Sequence, residues 1–358
     1  MSVKINSIII GTGSFLPENI IPNSHFLNQN FYEKNGEPIL KDTAEIISKF
    51  RDITEIDERR YADDKHMASD LGYFAALDAI QSSAIDPETL DYIIVAHNFG
   101  DVAAGGNRIN MLPTLASRIK FKLGIKNPDC IAYDLPFGCP GWLQGIIQAD
   151  YFIRSGDAKR VLVIGTETLS RISDPYDRDS MIYSDGAGAT ILEGKTNTTK
   201  GFLAHKTQTH TSSEAYFLYA GGSNNPKFNT DDLFIKMEGH KIYEYALTNV
   251  PLGIKQALEK AGTPLSDIKK VLIHQANGKM DMAILKRLFK LYGSTDIPAE
   301  IMPMTISKLG NSSVATIPTL LDLILKGQLD GQQIKEGDVV LFASVGAGMN
   351  INAAVYRF

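Results

Sequence analysis

Cys139 lies in Ile131-Ala-Tyr-Asp-Leu-Pro-Phe-Gly138-Cys139-Pro140-Gly-Trp-Leu-Gln, where a short apolar run gives way to a Pro/Gly turn and then to an apolar-periodic segment. The order reads as strand, turn, helix, with the cysteine at the helix N-terminus. Free N–H groups and the helix dipole favour a thiolate there, so a lowered thiol pKa is expected. Pro140 suits the first helical position, where its missing N–H costs nothing. A thiolate nucleophile needs an oriented base or hydrogen-bond partner and donors for a developing oxyanion. His274 ends the apolar strand of Val271-Leu-Ile-His274-Gln-Ala-Asn277, and ligands collect at the C-terminal ends of strands in α/β sheets. Asn311, in Lys308-Leu-Gly-Asn311-Ser-Ser, precedes an apolar helix; the same residue type also serves as an N-cap. Gly346-Ala-Gly348 follows the strand Val339-Val-Leu-Phe-Ala343 and lets backbone N–H groups approach a carbonyl. His97 occupies a place like that of His274 without its companions, and reads as structural.

The elements that must position these residues alternate in type. Strands are predicted over 5–10, 91–96, 131–135, 160–164 and 187–193, with helices over 67–83, 111–123 and 142–154. The polar stretch 195–235 reads as a crossing. The pattern then resumes with helices over 239–260, 279–292 and 314–327 and strands over 269–273, 338–343 and 349–357. The second half resembles the first: Leu71-Gly72 before Ala76-Leu77-Asp78 matches Leu252-Gly253 before Ala257-Leu258-Glu259. In both halves a helix, a turn and a strand then lead to a histidine, His97 or His274. A period this long means a duplicated domain, not a solenoid; the halves divide as 1–195 and 196–358. The fold class is therefore α/β.

The chain has 358 residues, 44% hydrophobic and 22% charged, with a formal net charge of -5. That balance argues against general nucleic-acid binding. Two cysteines, Cys130 and Cys139, suit neither a disulfide framework nor a zinc site, so a reducing cytoplasm is the expected setting. The run Ile8-Ile9-Ile10 is too brief for a signal sequence, and no apolar stretch is long enough to insert in a membrane. Gly11-Thr-Gly13 lacks the third glycine and the acidic partner of a dinucleotide fingerprint, which excludes nicotinamide binding.

At these residues the sequence resembles the β-ketoacyl-ACP synthase III family of the thiolase-like superfamily. The resemblance runs nearly end to end, through Gly11-Thr-Gly-Ser-Phe-Leu-Pro17, Ile56-Asp-Glu-Arg-Arg60, Cys139, Asp174-Pro-Tyr-Asp-Arg178, Ser184-Asp-Gly-Ala-Gly188, His274-Gln-Ala-Asn277 and Gly310-Asn311-Ser-Ser. It implies a thiolase-like fold: two similar halves, each a five-stranded sheet with helices, stacked as α-β-α-β-α in a homodimer. It implies an acyltransferase that condenses thioesters. An acyl group passes to Cys139, with the N–H groups of Cys139 and Gly348 as oxyanion hole. His274 and Asn311 then stabilise the enolate of a malonyl- or β-ketoacyl-thioester, which attacks the acyl-cysteine. The substrates are acyl-ACP or acyl-CoA, and no metal or other cofactor is required.

The resemblance further implies that Lys279, Lys286 and Arg287, with Lys290, form the helix face that meets an acidic acyl carrier protein, and that Arg171 touches the adenine end of coenzyme A. The family's adenine-stacking tryptophan and companion arginine align near Lys49 and Ile53, which weakens that site and points to an ACP-bound donor. Leu112, Phe137 and Trp142 are the expected acyl-pocket residues, and all depart from the family pattern. Specialised lipid or polyketide synthesis of the dialkylresorcinol type is therefore weighed beside fatty-acid initiation. The competing functions are an acyl transferase or thioesterase that forms no carbon–carbon bond, and a non-catalytic scaffold that docks a carrier protein. An intact Cys139, His274 and Asn311 argues against both.

Overall fold

The computed structural model describes residues 4–228 and 231–358. Strands β1 (Asn6–Phe15), β2 (Tyr92–His97), β3 (Ile131–Pro136), β4 (Arg160–Thr168) and β5 (Asp185–Lys195) form one sheet in the order β1-β5-β4-β2-β3. Strands β6 (Gly201–Thr209), β7 (Ile268–Ile273), β8 (Val339–Gly346) and β9 (Asn350–Arg357) form a second, in the order β6-β9-β8-β7. The pairings repeat: in each sheet the first and last strands are antiparallel, the last is antiparallel to its other neighbour, and the next pair is parallel. Even the irregularity repeats, as a bulge between Ile9 and Gly11 in β1 and between Phe202 and Ala204 in β6.

The second sheet has four strands where five were expected. At the missing edge a turn, closed by Ile301 N–H on the Pro298 carbonyl at 3.2 Å, presents the Ile301 carbonyl, which accepts from Val271 N–H at 2.7 Å. Pro298 and Pro303 flank that contact. A proline has no N–H to give to a ladder, so the turn meets β7 without becoming a strand.

Both sheets are apolar on both faces, which strands between two helical layers require. Alternation along the strand assigns each side chain to a layer. In β8, Val340 and Phe342 face the centre while Leu341 and Ala343 face outward. In β4, Val161 and Val163 face the centre while Leu162 and Ile164 face out. The longer helices are α1 (Thr43–Thr54), α2 (Ala68–Ser83), α3 (Leu115–Lys122), α4 (Gly141–Ser155), α5 (Gly239–Ala261), α6 (Gly278–Leu291) and α7 (Thr316–Leu325). Between the sheets lie α4 and α7, through Trp142, Ile146, Ile317 and Leu320. Helices α2 and α3 cover the first sheet's outer face, and α5 and α6 cover the second's. The result is five layers, α-β-α-β-α.

Among the parts not read from sequence, two bear on the cavity described below. Helix α1 is capped by Asp42, whose carboxylate accepts from Ala44 N–H at 2.7 Å. The polar stretch 195–235 holds β6 and the first strand of a hairpin, Leu218–Gly221 with Phe234–Met237. The hairpin is fastened by the buried Lys236, whose Nζ donates to Asp174 Oδ2 at 2.6 Å, Asn224 Oδ1 at 2.8 Å and Asp177 Oδ2 at 3.0 Å. Among the described residues no helix is long and apolar enough to cross a membrane.

The structure corrects one sequence expectation about the acyl pocket. Trp142 is 2% exposed and packs edge-on against Phe342 at 6.1 Å in the central layer. Its position one residue into α4 turns it away from the cavity described below and into the core. Trp142→Ala should therefore cost about 3–5 kcal/mol of stability, read as a lower urea midpoint, and leave the preferred acyl chain length unchanged.

Candidate active site

Residues distant in sequence converge on one cavity of about 1060 Å³. Cys139 comes from the turn before α4, His274 from the residue after β7, Asn311 from the approach to α7, and Gly346 to Gly348 from the turn between β8 and β9. Gly138, at φ +67°, makes the turn that swings Cys139 into place; a Cβ there would stand 2.8 Å from Ala347 N. Pro140 precedes the helix by one residue and is its cap, not its first helical position; its carbonyl accepts from Gln144 N–H at 2.9 Å. The turn after β8 is packed hard against Cys139. A Cβ on Gly346 would lie 2.6 Å from Cys139 N and 2.9 Å from Cys139 Cβ.

Ser313 ties the three side chains together, and nothing in the sequence reading singled it out. It is a buried, non-glycine residue at φ +51°. Its N–H donates to Asn311 Oδ1 at 2.8 Å, which fixes the amide and leaves Nδ2 for a ligand. Its carbonyl faces the His274 imidazole, and its hydroxyl lies on the side of the Cys139 thiol, where it favours the thiolate. The Ser313 hydroxyl also accepts from Asn98 Nδ2 at 2.8 Å, and Asn98 Nδ2 donates as well to the buried carboxylate of Glu167. A carboxylate closing an otherwise apolar strand, Arg160-Val-Leu-Val-Ile-Gly-Thr-Glu167, was the available signal for this last residue.

The electrostatics reverse one expectation. Burial pushes the Cys139 thiol up to about 11, against the pull of the Ser313 hydroxyl and its own N–H. Desolvation of a thiolate thus outweighs the helix terminus in the resting enzyme. Burial also holds His274 neutral, down to about 4. Its Nδ1 is enclosed without a hydrogen-bond partner. His97, its counterpart at the end of β2, is spent in structure: Nδ1 accepts from Gly100 N–H at 3.0 Å and Nε2 pairs with Asp134 Oδ2 at 3.0 Å.

The outer residues divide. Phe137 lines the cavity, and so does Lys49. Leu112 is 88% exposed and stands apart from this chain's own cavity. Arg171 is not free for a nucleotide. Its guanidinium donates to the carbonyls of Val102, Asp63 and His66 at 2.5, 2.8 and 2.6 Å, a set that buttresses the loop before α2. Lys279, Lys286 and Arg287 lie exposed on α6 with Lys290, on the face opposite Ile284, Leu285 and Leu288.

The family model described as 3-oxoacyl-[acyl-carrier-protein] synthase III matches residues 133–211, and that of its C-terminal part matches 258–358. A β-ketoacyl-[acyl-carrier-protein] synthase III of Vibrio vulnificus is 32% identical over 354 residues, covering 98% of this chain and 99% of the relative. One of Cereibacter sphaeroides is 30% identical over 361 residues, covering 99% and 100%. The solved β-ketoacyl synthase III of Thermus thermophilus superposes with a TM-score of 0.80 at 28% identity, covering 98% of each chain.

Two outcomes follow from the geometry. Gly346→Ala should lower the rate of Cys139 acylation by at least ~10²-fold, the scale of losing an oxyanion donor, while far-ultraviolet circular dichroism stays unchanged. His274 also leaves a mark on acid stability. Its folded pKa is depressed, to about 4, so its contribution is complete above the unfolded value of about 6.5 and is lost as pH falls through about 4. Urea unfolding should weaken by at most ~1.4 kcal/mol per pH unit across that window on this account, and His274→Gln should remove that component.

Proposed function

The chain belongs to the 3-oxoacyl-[acyl-carrier-protein] synthase III family, and we propose that it condenses a long acyl group, carried on Cys139, with a malonyl- or β-ketoacyl-thioester. The observation that carries this reading is the convergence of Cys139, His274 and Asn311 on one cavity, tied together by Ser313.

In the first half-reaction Cys139 Sγ attacks the thioester carbonyl of the donor. The carbonyl oxygen becomes an oxyanion held by the N–H groups of Cys139 and Gly348. The carrier thiolate leaves and takes the proton that Cys139 gives up, so no net proton is exchanged. A thiol that is protonated at rest suits this exchange. In the second half-reaction, His274 and Asn311 hold the thioester oxygen of the extender. With a malonyl extender, loss of carbon dioxide leaves an enolate whose carbanion attacks the acyl carbonyl. The Cys139 thiolate is expelled and takes up a proton. Neutral donors suit an oxygen that becomes negative, and His274 is held neutral by its burial.

Three observations support the finer reading. The cavity exceeds the ~300–1,000 Å³ of common ligand sites and is walled by Ile46, Phe50, Leu169, Ile182, Ile235 and Met237. That lining favours an acyl chain of fatty-acid length, as in lipid-derived products of the dialkylresorcinol type, over a short primer. At its mouth, Arg178 pairs with Glu33 at 3.4 Å and Lys41 with Glu45 at 4.0 Å, and Arg171 is committed to carbonyls, which favours a carrier protein over coenzyme A as donor. The basic face of α6 is our proposed docking site for that acidic carrier. The exposed β3 edge, with Ile131 at 48% exposure, and Leu112 beyond it support a homodimer in which Leu112 reaches the neighbour.

Incubation with a series of acyl-ACP donors from acetyl to palmitoyl should add the acyl mass to Cys139, most readily for the long chains. Carbon dioxide release from malonyl-ACP should fall ~10²–10³-fold in Asn311→Ala. Failure of every donor to label Cys139 would sink the reading; acylation with undiminished carbon dioxide release in the variant would exclude the assigned role of Asn311.

A further inference from the structure

Tyr183 lines the same cavity as Cys139, His274 and Asn311, yet the proposed cycle gives it no task. It is 4% exposed, and its Oη is buried with no hydrogen-bond partner among the described residues. Buried tyrosines elsewhere in the chain are engaged: Tyr245 Oη donates to the Met349 carbonyl at 3.0 Å, and Tyr356 Oη accepts from Ile9 N–H at 2.7 Å. A buried hydroxyl left unpaired opposes folding, and a phenylalanine of nearly the same shape would carry no such cost. A partner that arrives with the substrate would offset it.

The residue is held firmly. Asn311 N–H donates to the Ile182 carbonyl and Ser184 N–H to the Asn311 carbonyl, both at 2.9 Å, so the backbone of Tyr183 is clamped on either side and bridged to Asn311. Phe99, Leu169, Ile182, Ile235 and Met237 share an apolar cluster with the ring, and they line the cavity as well. That wall offers hydrocarbon, a thioether and one phenol. Burial raises the phenol's pKa, so the hydroxyl keeps its proton and is available as a donor.

We propose that Tyr183 is a specificity-determining residue: its hydroxyl donates to a keto or hydroxyl oxygen borne along the acyl chain, so that the preferred donor is an oxygenated fatty acyl group and not a plain one. This role rests on the cavity being the site of a long acyl group, and it names the class of that group. The apolar wall attracts a chain whatever its substituents, and a methylene more or less changes the affinity little. A single donor set in such a wall discriminates in two directions. An oxygenated chain pairs with the hydroxyl. A plain chain covers it, shuts it off from solvent and leaves it unpaired.

The test compares decanoic acid with its 3-hydroxy, 5-hydroxy, 5-oxo and 7-hydroxy derivatives. They are presented as free acids, with binding followed by calorimetry, and as ACP thioesters, with loading followed by mass added at Cys139. At least one oxygenated member should bind and load ~10-fold better than the plain chain, the scale of one hydrogen bond gained and one buried donor satisfied. Tyr183→Phe keeps the ring and removes only the hydroxyl; it should bring that ratio to about 1 by weakening the oxygenated member. Because the variant deletes an unpaired buried group, its urea midpoint without ligand should be no lower than that of the wild type. A wild type that favours none of the oxygenated chains, or a ratio that Tyr183→Phe leaves unchanged, would overturn the assignment. So would a clear fall in the variant's midpoint, which would mean that the hydroxyl is already satisfied inside the fold. The calorimetric arm needs no acyl transfer: a protein that shows the preference in binding but never labels Cys139 fails the proposed function and not this inference.

Discussion

The site depends on one backbone constraint, the left-handed conformation of Ser313. At φ +51° its N–H reaches Asn311, its carbonyl faces His274 and its hydroxyl lies on the side of Cys139. The three side chains come from three different elements, and this residue is what they share. Strain of that kind persists only where the surroundings over-determine it. Here they do: Val314 and Ala315 are buried against β4, and Gly165 leaves room for the Val314 carbonyl, which a Cβ would meet at 2.3 Å. The same demand recurs across the cavity, where Gly138, Gly348 and Met349 are also left-handed. The pocket floor is built from turns that close over the thiol.

The duplication shows why only one of two matching histidines lines the cavity. Both sheets present a histidine at the end of the corresponding strand. In the first half His97 finds Gly100 and Asp134 and is saturated. In the second, the residue after β7 lines the cavity instead, with no carboxylate or loop N–H closing on it. Position in the fold offered both the same opportunity; the neighbours decided which became available.

Much of this was legible in the sequence, for physical reasons that can be named. Strands buried on both faces give unbroken apolar runs, so β2, β4 and β8 stood out. Helices with one buried face gave the period that located α2, α5 and α6. The cysteine, histidine and asparagine were visible because their neighbours, Gly138, Gln275 and Gly310, break those patterns. What escaped were interactions with no periodicity. Edge strand β6 exposes alternate polar residues and looks like a loop. Trp142 begins its helix close to the nucleophile, and proximity in sequence suggested the pocket; a helix turns successive residues by 100°, which sends it to the core. The thiol's pKa followed the wrong term because burial cannot be read from a strand–turn–helix pattern. Arg171 looked like a free cation because its three carbonyl partners come from distant loops.

The two sheets end differently at their outer margins. In the first, β3 leaves a row of backbone groups half-exposed; in the second, the corresponding edge is sealed by the stretch around Ile301, with Pro298 and Pro303 beside it. The remaining edges, β1 and β6, face each other inside the molecule, where Gly201 lies against the Ser7 carbonyl. The open margin of the first sheet offers backbone groups to another strand, while that of the second is already engaged at Ile301.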